Sequence, residues 1–126
     1  MPTKERVKPP LEKTLQRRVL DDLNKLQNTF KYKAQAVALR GIPDIIICCA
    51  GCFIALELKR SETEKPTLLQ EFTLKEINKS GGIGLLVNPK NWGEVYGAIA
   101  ALSRGEKHVL AELRGLANRT IPASSA

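Results

Sequence analysis

Two apolar runs separated by only two residues constrain the fold of this chain more than any other feature. The runs are IIICC at residues 45–49 and CFIALEL at residues 52–58, and Ala50-Gly51 divides them. Short runs rich in β-branched residues predict strands, and a two-residue break that contains glycine predicts a tight hairpin. Because neither run alternates polar with apolar residues, we expect the sheet to be covered on both faces.

The hairpin predicts which side chains lie opposite each other. With the turn centred between Ala50 and Gly51, the numbers of cross-strand partners sum to 101, so Asp44 lies opposite Glu57. Period-2 alternation then places Asp44, Glu57 and Lys59 on one face. Two carboxylates facing each other in apolar surroundings need a positive partner. Lys59 alone could supply it as a buried ion pair, but a divalent cation held by both carboxylates suits the arrangement better.

The remaining pattern predicts one α/β domain. Helices are predicted over residues 11–28, 66–79, 92–102 and 106–117, and strands over residues 30–40 and 83–87. We therefore expect a mixed sheet in the order αβββαβ, followed by one or two helices. The predicted domain spans residues 11–117, between a basic flexible arm at 1–10 and a mobile tail at 118–126.

Composition narrows the function classes. The chain has 126 residues with 20 Lys and Arg against 13 Asp and Glu, so its net charge is +7 and an acidic polymer is the first partner to consider. Its single histidine, His108, argues against a two-histidine zinc site and a Ser-His-Asp triad. No apolar run reaches the roughly 18 residues of a membrane span, and we expect a cytoplasmic protein. Aromatic residues make up only 5%, which argues against base stacking as the main binding mode.

The three cysteines form a single cluster. Cys48, Cys49 and Cys52 lie within five residues of one another, and their number is odd. No second cluster of ligands accompanies them. We interpret them as small buried side chains near the turn rather than as disulfide partners or zinc ligands.

Two more polar residues lie on apolar helix stripes. Glu12 falls in the arc of Leu11, Leu15 and Val19, and Gln70 shares a stripe with residues 73, 74 and 77. Each also has a structural interpretation. Glu12 could be a first-turn acid favoured by the helix dipole, and Gln70 could be an edge residue of its helix.

The order of these residues resembles the PD-(D/E)XK nuclease superfamily. The matching features are Glu12 in an opening helix, Gly41-Ile42-Pro43-Asp44, a hairpin, Glu57-Leu58-Lys59 and then Gln70. Within that superfamily the chain is most similar to small stand-alone VRR-NUC domains, over roughly residues 11–103. The resemblance implies a nuclease-like αβββαβ core.

The resemblance also implies a role for each site residue. Asp44 and Glu57 would bind Mg²⁺, with Mn²⁺ able to substitute, together with the Leu58 backbone carbonyl. Glu12 would complete this site or support it from outside. Lys59 would orient or help to deprotonate the attacking water, and Gln70 would position Lys59 or the water. Gly41 would let the backbone approach the metal closely, although packing alone could explain it.

The function implied is a metal-dependent DNA endonuclease of a bacterial cell or virus. Similarity to structure-specific enzymes favours a branched substrate, such as a four-way junction, cut by a homodimer in the manner of a Holliday-junction resolvase. No membrane or small-molecule partner is expected, and the apolar carboxy-terminal helices could supply the dimer interface. The alternatives are a nicking or restriction-like nuclease on ordinary duplex DNA and a non-catalytic DNA-binding module. The basic residues expected to contact DNA are Lys4, Arg6, Lys8, Lys13, Arg17, Arg60 and Lys65.

Overall fold

A computed structural model describes residues 10–34 and 40–122, with side chains from residue 13 onward. The predicted basic arm, including Lys4, Arg6 and Lys8, lies outside the described residues. So do residues 35–39 of the predicted strand over 30–40, and residues 123–126 of the predicted tail.

The described residues form four helices and four strands around one mixed sheet. In chain order they are α1 (Pro10–Leu23), β1 (Thr29–Lys33), β2 (Ile45–Cys49), β3 (Cys52–Leu58), α2 (Leu68–Lys79), β4 (Ile83–Val87), α3 (Trp92–Ser103) and α4 (Val109–Thr120). The strand order is β1-β2-β3-β4. The first two pairings are antiparallel, and β3 pairs with β4 in parallel. The α/β class and the order of elements agree with the sequence prediction.

The hairpin has the predicted register. Cys49 pairs with Cys52 and Ile45 with Leu56, so partner numbers sum to 101. Ala50 and Gly51 have φ of 50° and 85°. Two successive residues with positive φ are what a type I′ turn requires, and its twist suits a two-residue hairpin.

One face of the sheet is closed by three helices. Alternate residues of the hairpin strands, among them Ile45, Ile47, Ile54 and Leu56, are fully buried and pack in one cluster with α1, α3 and α4. These three helices pack on β2, β3 and β4, whereas Lys33 of β1, on the same side of the sheet, is exposed. This face holds most of the apolar core.

The opposite face is covered only in part. Helix α2 contacts β3 and β4, and Leu74 lies so close to Gly84 that an added Cβ would be 3.1 Å from the Leu74 carbonyl oxygen. Over β1 and β2, Phe30 and Cys48 are exposed. The prediction of a sheet covered on both faces is therefore wrong for this half. A single helix is about 10 Å wide, whereas strands lie about 4.8 Å apart, so one helix covers about two strands.

Several predicted boundaries shift because of local chemistry. Helix α1 ends at Leu23, not near residue 28, where Asn28 has a positive φ of 54°. Helix α2 begins after Thr67, which is its N-cap, rather than at Pro66. Helix α4 extends beyond residue 117 to Thr120, and Ile121 packs with Leu74 and Leu86.

The cysteines are only partly as predicted. None of the three forms a disulfide, but Cys48 is exposed while Cys49 is buried. They differ because neighbouring strand residues point to opposite faces. Burial raises the pKa of the Cys49 thiol above its ordinary value.

The carboxy-terminal helices do not offer the exposed apolar surface expected of a dimer interface. Their apolar side chains, including Val95, Ile99, Leu113 and Leu116, belong to the core that closes the sheet. Helix α3 is also tied to α1, because Trp92 Nε1 donates a hydrogen bond to Asp22 Oδ2 at 2.8 Å. In the described part of the chain, no helix has both the length and the apolar character needed to cross a membrane.

Candidate functional site

Three of the predicted site residues, Asp44, Glu57 and Lys59, form a row on the half-covered face. The Ala34 N–H donates to the backbone oxygen of Asp44 at 2.9 Å, which continues the β1–β2 pairing by one residue. The hairpin register places Asp44 opposite Glu57, and Glu57 is paired with Leu86 in β4. Lys59 lies two residues further along the same chain, so its side chain points to the same face.

Asp44 is fastened to the end of β3 through its side chain. Its Oδ2 accepts a hydrogen bond from the Leu58 N–H at 2.7 Å. The next residue, Lys59, donates its N–H to the Val87 oxygen in β4. Because successive residues of a strand direct their backbone groups to opposite sides, the Leu58 carbonyl points toward β2, where the register places Pro43. Proline has no N–H to donate, so Pro43 cannot form the next backbone hydrogen bond of the β2–β3 pairing to the Leu58 carbonyl.

Glu57 and Lys59 are buried charged residues. They are 3% and 7% exposed, and Lys59 Nζ lies 3.8 Å from Glu57 Oε2. Lys59 Nζ also donates a hydrogen bond to Gln70 Oε1 at 2.9 Å. A strand and a helix therefore share the lysine, and its ammonium group lies between a carboxylate and an amide.

Gln70 is held by the cap of helix α2. Its Oε1 also accepts the Thr67 N–H at 2.9 Å, while its own N–H donates to Thr67 Oγ1 at 3.1 Å. This reciprocal pair is a capping box. Gln70 Oε1 thus caps the N-terminus of α2 and also accepts the hydrogen bond from Lys59. The spacing Thr67-x-x-Gln70 is a capping-box signature that could have revealed the role of Thr67 from the sequence.

A cleft of about 470 Å³ lies beside the row. Asp44, Thr67 and Gln70 line it together with the segment from Arg40 to Pro43. Gly41 has a φ of +79°, and a Cβ there would be 2.6 Å from Leu69 Cγ. The close approach that needs glycine is therefore to helix α2. Arg40 is an exposed cation at the cleft that the sequence interpretation did not single out.

The remaining predicted residues are less closely grouped. Glu12 belongs to α1, but its side chain lies outside the described part, so its role in the site stays a prediction. Lys13 and Arg17 are exposed on α1, and Arg60 and Lys65 are exposed in the loop after β3.

That loop has its own anchor. Glu64 Oε1 accepts the Arg60 N–H at 2.6 Å and lies 3.5 Å from Arg60 Nε. Burial acts to raise the pKa of Glu64, but the Arg60 N–H and the charges of Lys59 and Arg60 together hold it below its ordinary value.

The donors near the cleft are oxygen atoms. Within residues 10–34 and 40–122, no group of three or more His, Cys, Asp or Glu is placed to hold a metal ion. The available set is the carboxylates of Asp44 and Glu57 with the Leu58 carbonyl. Such a set fits Mg²⁺, which prefers oxygen ligands and keeps several waters, better than it fits zinc or copper.

Comparison with known proteins adds no relative. Searches against protein-family models, curated proteins and solved structures each find no match for this chain. The function is therefore inferred from the residues of the site.

Proposed function

We propose that this chain is a metal-dependent DNA endonuclease that acts as a homodimer on branched DNA such as a four-way junction. The observation that carries the proposal is the buried Lys59, which joins Glu57 to Gln70 beside Asp44 at an open cleft. Buried charges are unfavourable for folding, so they occur mostly where function requires them, and Asp44 and Gln70 beside this pair line the cleft. The αβββαβ order and the sequence resemblance to PD-(D/E)XK nucleases support the same function.

Each site residue has a distinct task in this reaction. Asp44, Glu57 and the Leu58 carbonyl would hold Mg²⁺ or Mn²⁺, and Glu12 is a further candidate ligand. When bound, the cation lowers the pKa of a water and offsets charge on the phosphate. The Lys59 ammonium has three N–H groups, of which Gln70 uses one. Glu57 Oε2 lies 3.8 Å from the same nitrogen, and the ammonium group would orient the attacking water and stabilise the negative charge that develops on the phosphate oxygens.

Basic residues would hold the DNA backbone. Arg40 lies at the cleft, and Lys13, Arg17, Arg60 and Lys65 are exposed. Phosphate contacts of this kind supply most of the affinity that does not depend on DNA sequence, and salt weakens them. Binding should therefore weaken steeply as the salt concentration rises.

The decisive experiment compares Glu57→Gln with Glu71→Gln. Both carboxylates are buried, but Glu71 lies on α2 and is paired with Lys75 at 2.8 Å. Cleavage of a labelled four-way junction is measured across a Mg²⁺ titration. We expect Glu57→Gln to lower the rate by about 10²-fold or more while junction binding persists, because the reaction loses a metal ligand. The Glu71→Gln variant should cut like the wild type.

The substrates distinguish the alternatives. Equal rates on the junction and on its linear arms would indicate a nuclease for ordinary duplex DNA. Binding with no cleavage in Mg²⁺ or Mn²⁺ would indicate a non-catalytic module. Neither cleavage nor binding would leave Glu57 and Lys59 as a structural ion pair and would refute the proposal.

A further inference from the structure

Three exposed aromatic side chains lie on the half-covered face: Phe30 and Tyr32 on β1, and Phe53 at the start of β3 beside α2. Phe30 is 68% exposed, Tyr32 57% and Phe53 45%. Large apolar side chains at these exposures lose favourable burial, so a contiguous group of them usually marks a contact surface.

The strand register shows that these rings share one surface. Phe30 pairs with Cys48, which pairs with Phe53, and in the next row Tyr32 pairs with Ile46. Cross-strand partners point to the same face. We call the surface of Phe30, Tyr32, Ile46, Cys48 and Phe53 the open face. It contains no charged side chain, because the two lysines of β1 alternate with the aromatic residues and point to the other side of the sheet.

We propose that the open face is the surface through which two copies of this chain dimerise about a two-fold axis. Between this face and α2 runs an apolar groove of about 290 Å³, lined by Phe53, Thr73 and Ile77 among others. The surface thus has both a projecting ring, Phe30, and a recess. In a two-fold dimer each copy presents the same patch, so Phe30 of each copy can enter the groove of the other.

The exposed area is of the right size for such a contact. Taking about 200 Å² for a whole aromatic side chain, the three rings expose on the order of 350 Å². A specific interface buries about 800 Å² per partner, and in homodimers about 65% of it is apolar. The rings supply most of such an apolar centre, and Ile46, Cys48 and the rim of α2 extend it.

Charge favours a second copy over DNA at this surface. Single-stranded DNA also stacks on aromatic rings, but its binding grooves are positively charged. The open face carries no cation, and the groove beside it includes Glu76. Phe53 precedes Glu57 by four residues, about 13 Å along the strand. A partner on Phe30 and Phe53 would therefore leave the cleft at Asp44 accessible to substrate.

The existence of a dimer rests on the proposed function, whereas burial and charge assign its surface. The test measures the mass of the protein in solution. Light scattering over a dilution series is applied to the full chain, to Phe30→Ser/Phe53→Ser and to Phe30→Leu/Phe53→Leu. We expect a wild-type mass twice that of one chain. The serine pair should raise the dimer dissociation constant by about 10²-fold or more, and the leucine pair by less than about 10-fold, because apolar contact is retained. Circular dichroism checks that each variant is folded.

A second variant keeps the test decisive if the serine pair does not fold. Cys48→Arg places a charge in the middle of the open face at an exposed position, and it should also give monomers. A monomeric wild type at all concentrations, or dimers that persist in Cys48→Arg, would overturn the proposal. So would an oligothymidine that binds monomeric wild type and is lost in Cys48→Arg, because the face would then bind bases. A dimer without nuclease activity would refute only the proposed function.

Discussion

The two faces of the sheet distribute polarity in opposite ways. On the face closed by α1, α3 and α4, positions such as Ile47 and Leu56 are apolar and fully buried. On the face that α2 covers in part, charged Glu57 and Lys59 are buried while Phe30 and Phe53 are exposed. The first face follows the arrangement that stabilises a fold. The second face departs from it twice: the buried charges belong to the candidate site, and the exposed rings belong to the proposed dimer surface.

The energetic difference between the faces follows from solvation. Burying an apolar side chain contributes roughly 1.5 to 3 kcal/mol. Burying an ion pair gains little, because the loss of hydration offsets the attraction between the charges. The closed face therefore supplies most of the stability of the fold. The other face contributes less, because it buries the charged groups of Glu57 and Lys59.

The largest expected effect is on the closed face. Ile47→Ala should lower the free energy of unfolding by about 4 kcal/mol, because it leaves a cavity among fully buried side chains. Cys48→Ala, at the next residue but on the open face, should change it by less than about 0.5 kcal/mol. Urea unfolding of dilute protein measures both. Similar losses for the two variants would contradict the difference between the faces.

The next effect tests whether the buried charges serve stability. Lys59→Met should lower the free energy of unfolding at neutral pH by about 3 kcal/mol, because the buried Glu57 carboxylate would lose the ammonium group 3.8 Å from its Oε2. The double variant Glu57→Gln/Lys59→Met should recover most of this loss yet cut no DNA. Thermal unfolding and junction cleavage are measured on both. If the double variant is as unstable as Lys59→Met, the charge of the buried Glu57 does not cause the loss of stability.

A smaller effect concerns the bond between α1 and α3. The Trp92 N–H lowers the pKa of Asp22 below its ordinary value, against the opposing effect of burial, and Lys25 and Arg18 assist. A lowered folded-state pKa means that the charged carboxylate stabilises the fold above the ordinary carboxyl pKa. This stabilisation is lost as the pH falls through the folded value.

Asp22→Asn should therefore lower the free energy of unfolding at neutral pH by about 1.5 kcal/mol. The difference from wild type should vanish in acid. Unfolding from neutral pH to below pH 3.8, the ordinary carboxyl value, measures this. Asp21→Asn, at an exposed neighbour on the same helix, is the control. A difference that stayed constant with pH would show that the carboxylate charge is not responsible.

The smallest expected effect is at the cap of α2. Thr67→Ala should lower the free energy of unfolding by about 1 kcal/mol, the usual value of an N-cap. Because the cap also orients Gln70, which holds Lys59, the rate of junction cleavage should fall with it. Thr67→Ser retains the hydroxyl and should restore both the stability and the rate. An unchanged cleavage rate in Thr67→Ala would show that the cap does not act on Lys59.

Much of the site was predictable because it depends on local geometry. A two-residue turn fixes the hairpin register, so Asp44 falls opposite Glu57 whatever packs above them. Alternation along β3 places Lys59 beside Glu57, and helical spacing brings Gln70 to the inner side of α2. Thr67 was overlooked although its spacing to Gln70 marks a capping box.

Other features depend on contacts between residues distant in the chain. Asp22 meets Trp92 across 70 residues, and no pattern around either one indicates it. The exposed aromatic residues of β1 alternate like those of any half-buried strand. Their exposure follows from the single helix on that side, which packs mainly on β3 and β4.

The sequence by itself thus determined the elements, the hairpin register and the row of polar residues, since short-range periodicity controls each of them. Only the tertiary structure decided how deeply Lys59 is buried, which face remains open and where α3 and α4 place their apolar sides. The physical reason is that burial depends on how many helices cover each face, and their arrangement is set by packing over the whole domain.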